Sequence, residues 1–230
     1  MILALAAAIA AAQAPAGVAC PDLVTPQAFV CRALQSSKAG DPESAALAFE
    51  QAAAAQTNDE AEKARMWAAA GNMWIAANQA GKAAVALDKA LAGTGLQAEQ
   101  RGEALLDRAR AAESQNDLRT ARSKINEAAR TISEDPFLWY FSAALAIREG
   151  DAVTAKNAIG KALTLEPNNP TILFEAGHVH HFAGDEAAAR SYWSRAAAAD
   201  PNGKSGQAAR EALSLLGKPA NVQSDPAPTK

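Results

Sequence analysis

The stretch Pro136–Asn169, PFLWYFSAALAIREGDAVTAKNAIGKALTLEPNN, decides the fold, because Pro170–Gly203 repeats its pattern with no gap. Both units have 34 residues. Numbered from the start of each unit, position 4 is Trp139 then Leu173, position 8 is Ala143 then Gly177, and positions 15 and 16 are Gly-Asp in both. Positions 20 and 27 are alanine in both, and position 32 is Pro167 then Pro201. A fixed period of this length marks a stack of like supersecondary units.

Three more divergent copies precede these two, at 26–59, 64–97 and 102–135. Across all five, position 20 is Ala45, Ala83, Ala121, Ala155 and Ala189, and position 27 is Ala52, Ala90, Ala128, Ala162 and Ala196. This pattern resembles the tetratricopeptide repeat, in its exported bacterial members. That signature has a large residue at position 4, small ones at 8, 20 and 27, and proline at 32. The resemblance implies an all-α fold: a right-handed superhelical solenoid of about five antiparallel helix hairpins over 26–216. Small residues are needed where helices approach closely, since bulk there would open voids elsewhere. Positions 8 and 20 are expected to face each other within a hairpin, and position 27 the next hairpin. The large residues at position 4 (Phe29, Trp67, Leu105, Trp139, Leu173) and position 24 (Phe49, Leu87, Ile125, Ile159, Trp193) fill the remaining space. Position 7, often leucine in the family, departs from the pattern as Arg32, Ala70, Arg108, Ser142 and Ala176.

Four residues are inserted at Glu60–Lys63 and four at Ala98–Arg101. Four residues make about one helical turn, so the first helices of units two and three should begin a turn early. Thr57 with Glu60 and Thr94 with Gln97 have capping-box spacing. Thr25-Pro26, Asp135-Pro136 and Asn169-Pro170 place proline at the first helical position behind a cap. Residues 204–216 read as a helix covering the last hairpin, and 217–230 as a polar, disordered tail.

Composition agrees. Alanine, the best helix former, is the commonest residue, aromatics are only 5% and net charge is −3. That balance argues against a nucleic-acid surface. Met1–Ala12 is an unbroken apolar run, too short to span a bilayer at about 20 residues, followed by small residues. It reads as a signal peptide over 1–19, which implies an exported, periplasmic or envelope-associated protein. Residues 20–25 then form an N-terminal tail. Cys20 and Cys31 would be disulfide candidates in an oxidising compartment. Gly17-Val18-Ala19-Cys20 also resembles a lipobox, with Gly17 where leucine is usual. Lipid on Cys20 would make the protein a membrane-anchored envelope or pilus assembly factor.

No nucleophile elbow or phosphate loop is present. His178 and His181 share a helix face with Glu175, a stripe that suits a metal-dependent enzyme only if more ligands join it. His180 sits at a packing position, and the four tryptophans fall at packing positions too. The expectation is therefore no cofactor, no metal and no catalysis. By resemblance, positions 2, 5, 9, 12 and 13 of each first helix line a groove for another protein or a peptide. The candidates are Asn72, Leu106, Arg110, Phe137, Tyr140, Arg148, Phe174, His178 and His181. The family's best-known groove holds a peptide carboxylate with Lys at 5 and Asn at 9. Asn72 is at 9, but Ala68 is at 5, so that clamp is absent. An apolar peptide or helix, with Arg110 and Arg148 meeting an acidic group on it, is the expected ligand.

Overall fold

The computed structural model describes residues 19–216. The tail over 217–230 and, apart from Ala19, the export signal lie outside the described residues. Eleven helices and no strand occur among those described. They run α1 Pro26–Lys38, α2 Pro42–Ala55, α3 Glu60–Ala76, α4 Ala80–Leu91, α5 Ala98–Ser114, α6 Leu118–Ala128, α7 Pro136–Glu149, α8 Ala152–Leu165, α9 Pro170–Phe182, α10 Glu186–Ala199 and α11 Lys204–Leu215. Each helix packs on the next along the chain, and α3 also packs on α5, α7 on α9, and α9 on α11. The result is an all-α solenoid of five hairpins and a terminal helix. Its first helices share one face.

Every hairpin turns the same way. Position 15 has a positive φ in all five units: Gly40 at 77°, Asn78 at 57°, Asn116 at 61°, Gly150 at 77° and Gly184 at 78°. Glycine takes this left-handed conformation freely, and asparagine tolerates it better than other residues. The next residue caps the second helix. Asp41, Asp117, Asp151 and Asp185 each accept a backbone N–H from the first turn. Gln79 in the second hairpin makes no such bond.

The lengthened first helices are present: α3 and α5 have 17 residues each. Their caps differ from the sequence expectation. Asp59 caps α3, and Gln97 forms a capping box with Gln100 at the start of α5. Thr57 and Thr94 lie outside both helices because a carboxylate or amide closer to the first turn takes their place.

The ten alanines at positions 20 and 27 have no exposed area at all. The neighbour that presses hardest on position 8 is position 24, rather than position 20. A Cβ added at Gly177 would lie 2.2 Å from two atoms of the Trp193 ring, and one at Gly71 2.4 Å from Leu87 Cγ. Position 7 departs from the family pattern because its polar residues have partners. Arg32 donates to the carbonyls of Pro21 and Leu23 at 3.0 Å, and Arg108 pairs with Asp88 at 2.8 Å. The Ser142 hydroxyl accepts from Arg122 at 2.9 Å. At the C-terminal end, Ala209, Ala212, Leu213 and Leu216 close over Leu173 and Trp193, which the sequence expectation of a covering helix describes.

Gly177→Ala should therefore lower stability by about 1–3 kcal/mol, the usual cost of overpacking a filled core. Gly160→Ala, in α8 with nothing within 4 Å of the added Cβ, should raise it by about 0.5–1 kcal/mol through helix propensity. Urea unfolding of the two variants gives shifts of opposite sign if the contact at position 8 governs hairpin packing.

Candidate functional site

The shared face of the first helices divides into two halves. In the N-terminal half, residues of α1, α3 and α5 enclose a cleft of about 420 Å³ lined by Leu34, Ala68, Asn72, Met73 and Asp107, among others. Of the sequence candidates only Asn72 lines it. A roomier cleft, about 660 Å³, lies away from this face, where Trp67 and Lys89 meet the loop after α4.

The C-terminal half is aromatic. Phe137 and Tyr140 stack at 5.5 Å between ring centroids on α7. On α9, Phe174 and His178 lie 4.4 Å apart, and His178 meets the Trp193 ring edge at 5.5 Å. Trp193 is fixed in turn by a 3.0 Å bond from its indole N–H to the Phe174 carbonyl. Phe137 is 42% exposed and Phe182 40%. Tyr140 and Phe174 are partly buried. Leu106 is buried, with 5% exposure, and belongs to the core between α5 and its neighbours rather than to this surface.

Both candidate arginines already have carboxylates. Arg110 pairs with Asp107 at 2.7 Å and lies over the Phe137 ring at 5.6 Å. Arg148 pairs with Glu113 and donates to Asn116 at 2.8 Å. Asn72 donates to Asp107 at 2.8 Å. Neither arginine is left waiting for an acidic group from outside.

The histidines separate. His181 bonds Glu186 at 2.8 Å, and His180 stacks on Tyr192 at 5.1 Å. Desolvation and the neighbouring His181 hold the His178 pKa below its ordinary value. Among the described residues no three His, Cys, Asp or Glu side chains gather closely enough to hold a metal ion.

The sequence reading gave Glu175 a place only in the histidine stripe. The structure buries it to 8% exposure, yet its carboxyl oxygens are not among the fully enclosed unpartnered atoms and keep a path to the surface. Burial pushes its pKa up to about 7; burial also raises the pKa of Tyr140, and the Glu175 charge adds to it. The available signal was its position: position 6 is Cys31, Ala69 and Phe141 in three other units.

Cys20 and Cys31 are joined by a disulfide, with their Cα atoms 5.7 Å apart. It ties the tail before α1 to that helix, alongside the two Arg32 bonds. No helix among the described residues is long and apolar enough to cross a membrane.

No family model matches the sequence, and no curated protein matches it. Solved structures do share the fold. PilW, a widely conserved type IV pilus biogenesis factor, is 18% identical with a TM-score of 0.68, over 80% of this chain and 81% of PilW. PilF of Pseudomonas aeruginosa is 16% identical with a TM-score of 0.66, over 83% of each chain. YrrB, a TPR protein with an unusual peptide-binding site, is 16% identical with a TM-score of 0.59, over 80% of this chain and 91% of YrrB. The fold is thus that of the tetratricopeptide-repeat proteins, as the repeat pattern implied.

The buried carboxyl makes stability depend on pH. Its folded pKa, about 7, lies above the ordinary 4.5, so folding holds a proton that the unfolded chain releases between these values. Stability is intact below pH 4.5 and falls as pH rises to about 7, by roughly 3 kcal/mol in all. The capping aspartates act in another window. Their hydrogen bonds lower the pKa of Asp41, Asp117, Asp151 and Asp185, so their contribution is lost only as pH falls below about 4. Glu175→Gln should therefore stabilise the protein by about 2–3 kcal/mol at pH 8 and scarcely at all at pH 4.5. Urea unfolding at the two pH values measures the difference.

Proposed function

We propose that this chain is a non-catalytic interaction scaffold of the bacterial cell envelope, which binds an apolar peptide or helix on the face of α7 and α9. The observation that carries this reading is the aromatic surface itself: Phe137 with Tyr140, and Phe174 with His178, on adjacent first helices. Exposed aromatic residues on a rigid helical face suit a partner's apolar side chains, and aromatics dominate binding energy at such contacts. The peptide-binding site of YrrB, on the same fold, supports the kind of partner. No cofactor enters this reading, and nucleic acid is a poor partner for a chain of net charge −3.

Tyr140→Ala combined with Phe174→Ala should abolish capture of the partner from an envelope extract while the helical circular-dichroism signal stays. Undiminished capture would place binding elsewhere on the molecule.

The shared fold of PilW and PilF favours a second reading, an envelope or pilus assembly factor carried on lipidated Cys20. The disulfide opposes it, since a cysteine bonded to Cys31 has no sulfur free to carry lipid. The disulfide also favours an oxidising compartment. Non-reducing peptide mapping of the native protein should recover Cys20 linked to Cys31. A lipid-bearing Cys20, with membrane partitioning lost in Cys20→Ser, would establish the second reading instead.

A further inference from the structure

One repeat position carries a carboxylate in two hairpins and is answered in only one of them. At position 6 of the third unit, Asp107 is met from two sides. Arg110, at position 9 of its own helix, pairs with it at 2.7 Å. Asn72, at position 9 of the preceding first helix, donates to it at 2.8 Å. At position 6 of the fifth unit stands Glu175. Position 9 of its own helix is His178, whose ring lies against Phe174 and the Trp193 edge and makes no bond to Glu175. Position 9 of the preceding first helix is Ala144, a methyl group with nothing to donate. The arginine and the amide that complete the site in the third hairpin have no counterpart in the fifth.

Glu175 is nevertheless more than nine-tenths buried, beside an apolar core. Ala176 and Val179 of its own helix, and Ala143 and Ala146 of α7, are core residues. Tyr140 from α7 is close enough for the Glu175 charge to raise its pKa. Arg110 and Arg148, the nearest cations by position on this face, are engaged by Asp107 and by Glu113 with Asn116. A buried carboxyl without a donor is costly. A carboxylate beside the Tyr140 ring also provides both parts of a cation site, an opposite charge and a π-face.

From this we infer that Glu175 accepts a cationic side chain, Lys or Arg, from the peptide or helix bound on the face of α7 and α9. The partner supplies the donor that Arg110 and Asn72 supply to Asp107. The ligand is thus apolar with one positive charge, the reverse of the acidic ligand that the free arginines of the sequence suggested. The inference rests on the binding face proposed above and adds the chemistry of its ligand.

Selection of a displayed library of random dodecapeptides on the full chain tests it, with three proteins compared: the unaltered chain, Glu175→Gln, and Tyr140→Ala combined with Phe174→Ala. The unaltered chain should enrich apolar sequences bearing a single Lys or Arg. A synthetic peptide of that consensus should bind Glu175→Gln at least about tenfold more weakly, as for loss of one buried charge-assisted bond. Its norleucine version should bind the two proteins alike. Enriched peptides without Lys or Arg, or equal binding of the Lys peptide to both proteins, overturn the cation inference and leave the binding face standing. The same peptides enriched by the aromatic double variant, or none enriched by the unaltered chain, overturn both. Circular dichroism of each variant verifies that it is folded.

Discussion

The close approach of helices at positions 8, 20 and 27 is the constraint on which the rest depends. The ten alanines at positions 20 and 27 are wholly buried, and position 8 is alanine or glycine in every unit. Each contributes little apolar area of its own, since a methyl group is worth only about 0.8 kcal/mol when buried. Their role is to set distances. Once these are fixed, the bulk must come from a few large residues: Leu87, Leu105, Ile125, Ile159, Leu173 and Trp193 are all nearly inaccessible. The two kinds of position are coupled. Trp193 lies where a Cβ at Gly177 would stand, so the widest ring at position 24 goes with the smallest residue at position 8.

The same spacing explains why the tryptophans behave differently. Trp74 and Trp193 are 1% and 3% exposed, but Trp67 and Trp139, both at position 4, remain partly exposed. Leucine at position 4 is swallowed whole, as Leu105 and Leu173 show. An indole is too wide for that slot and leaves one face outside. In both cases a lysine at position 26 lies across it: Lys89 is 3.9 Å from the Trp67 ring centroid and Lys161 is 3.7 Å from that of Trp139. The lysine stem shields apolar surface while its ammonium stays in water. Position 26 is lysine only in these two units.

What was legible in the sequence follows from how far each feature reaches along the chain. The period, the buried alanines and the early starts of α3 and α5 are local or strictly repeated, and they read correctly. Capping was half legible. Asp135 and Asn169 precede prolines and act as read, whereas Asp59 and Gln97 were passed over for threonines with better-known spacing. The turns held a signal that went unused: Asn78 and Asn116 stand at the position that is glycine in the other units, and all five adopt the same left-handed turn. The state of charged residues was not legible. Arg148 finds its partners 35 and 32 residues back, and Asn72 finds Asp107 35 residues ahead. Those pairings depend on how one hairpin sits on the next, which no single helix encodes.

That dependence also shapes the face of the first helices. A stacked array brings like positions of successive first helices side by side, so a polar residue on one helix tends to meet a polar residue on its neighbour. Through the second to fourth hairpins these encounters consume the charges: Asn72 and Arg110 on Asp107, Arg148 on Glu113. A surface that satisfies itself has little electrostatic preference left for a partner. Between α7 and α9 the matching fails, because Ala144 and His178 occupy these positions around Glu175 and neither bonds it. An unmatched buried carboxyl lowers the stability of the free protein as pH rises to about 7, a loss that a bound cation would offset. The same defect that weakens the fold is what would give the proposed face its chemical preference.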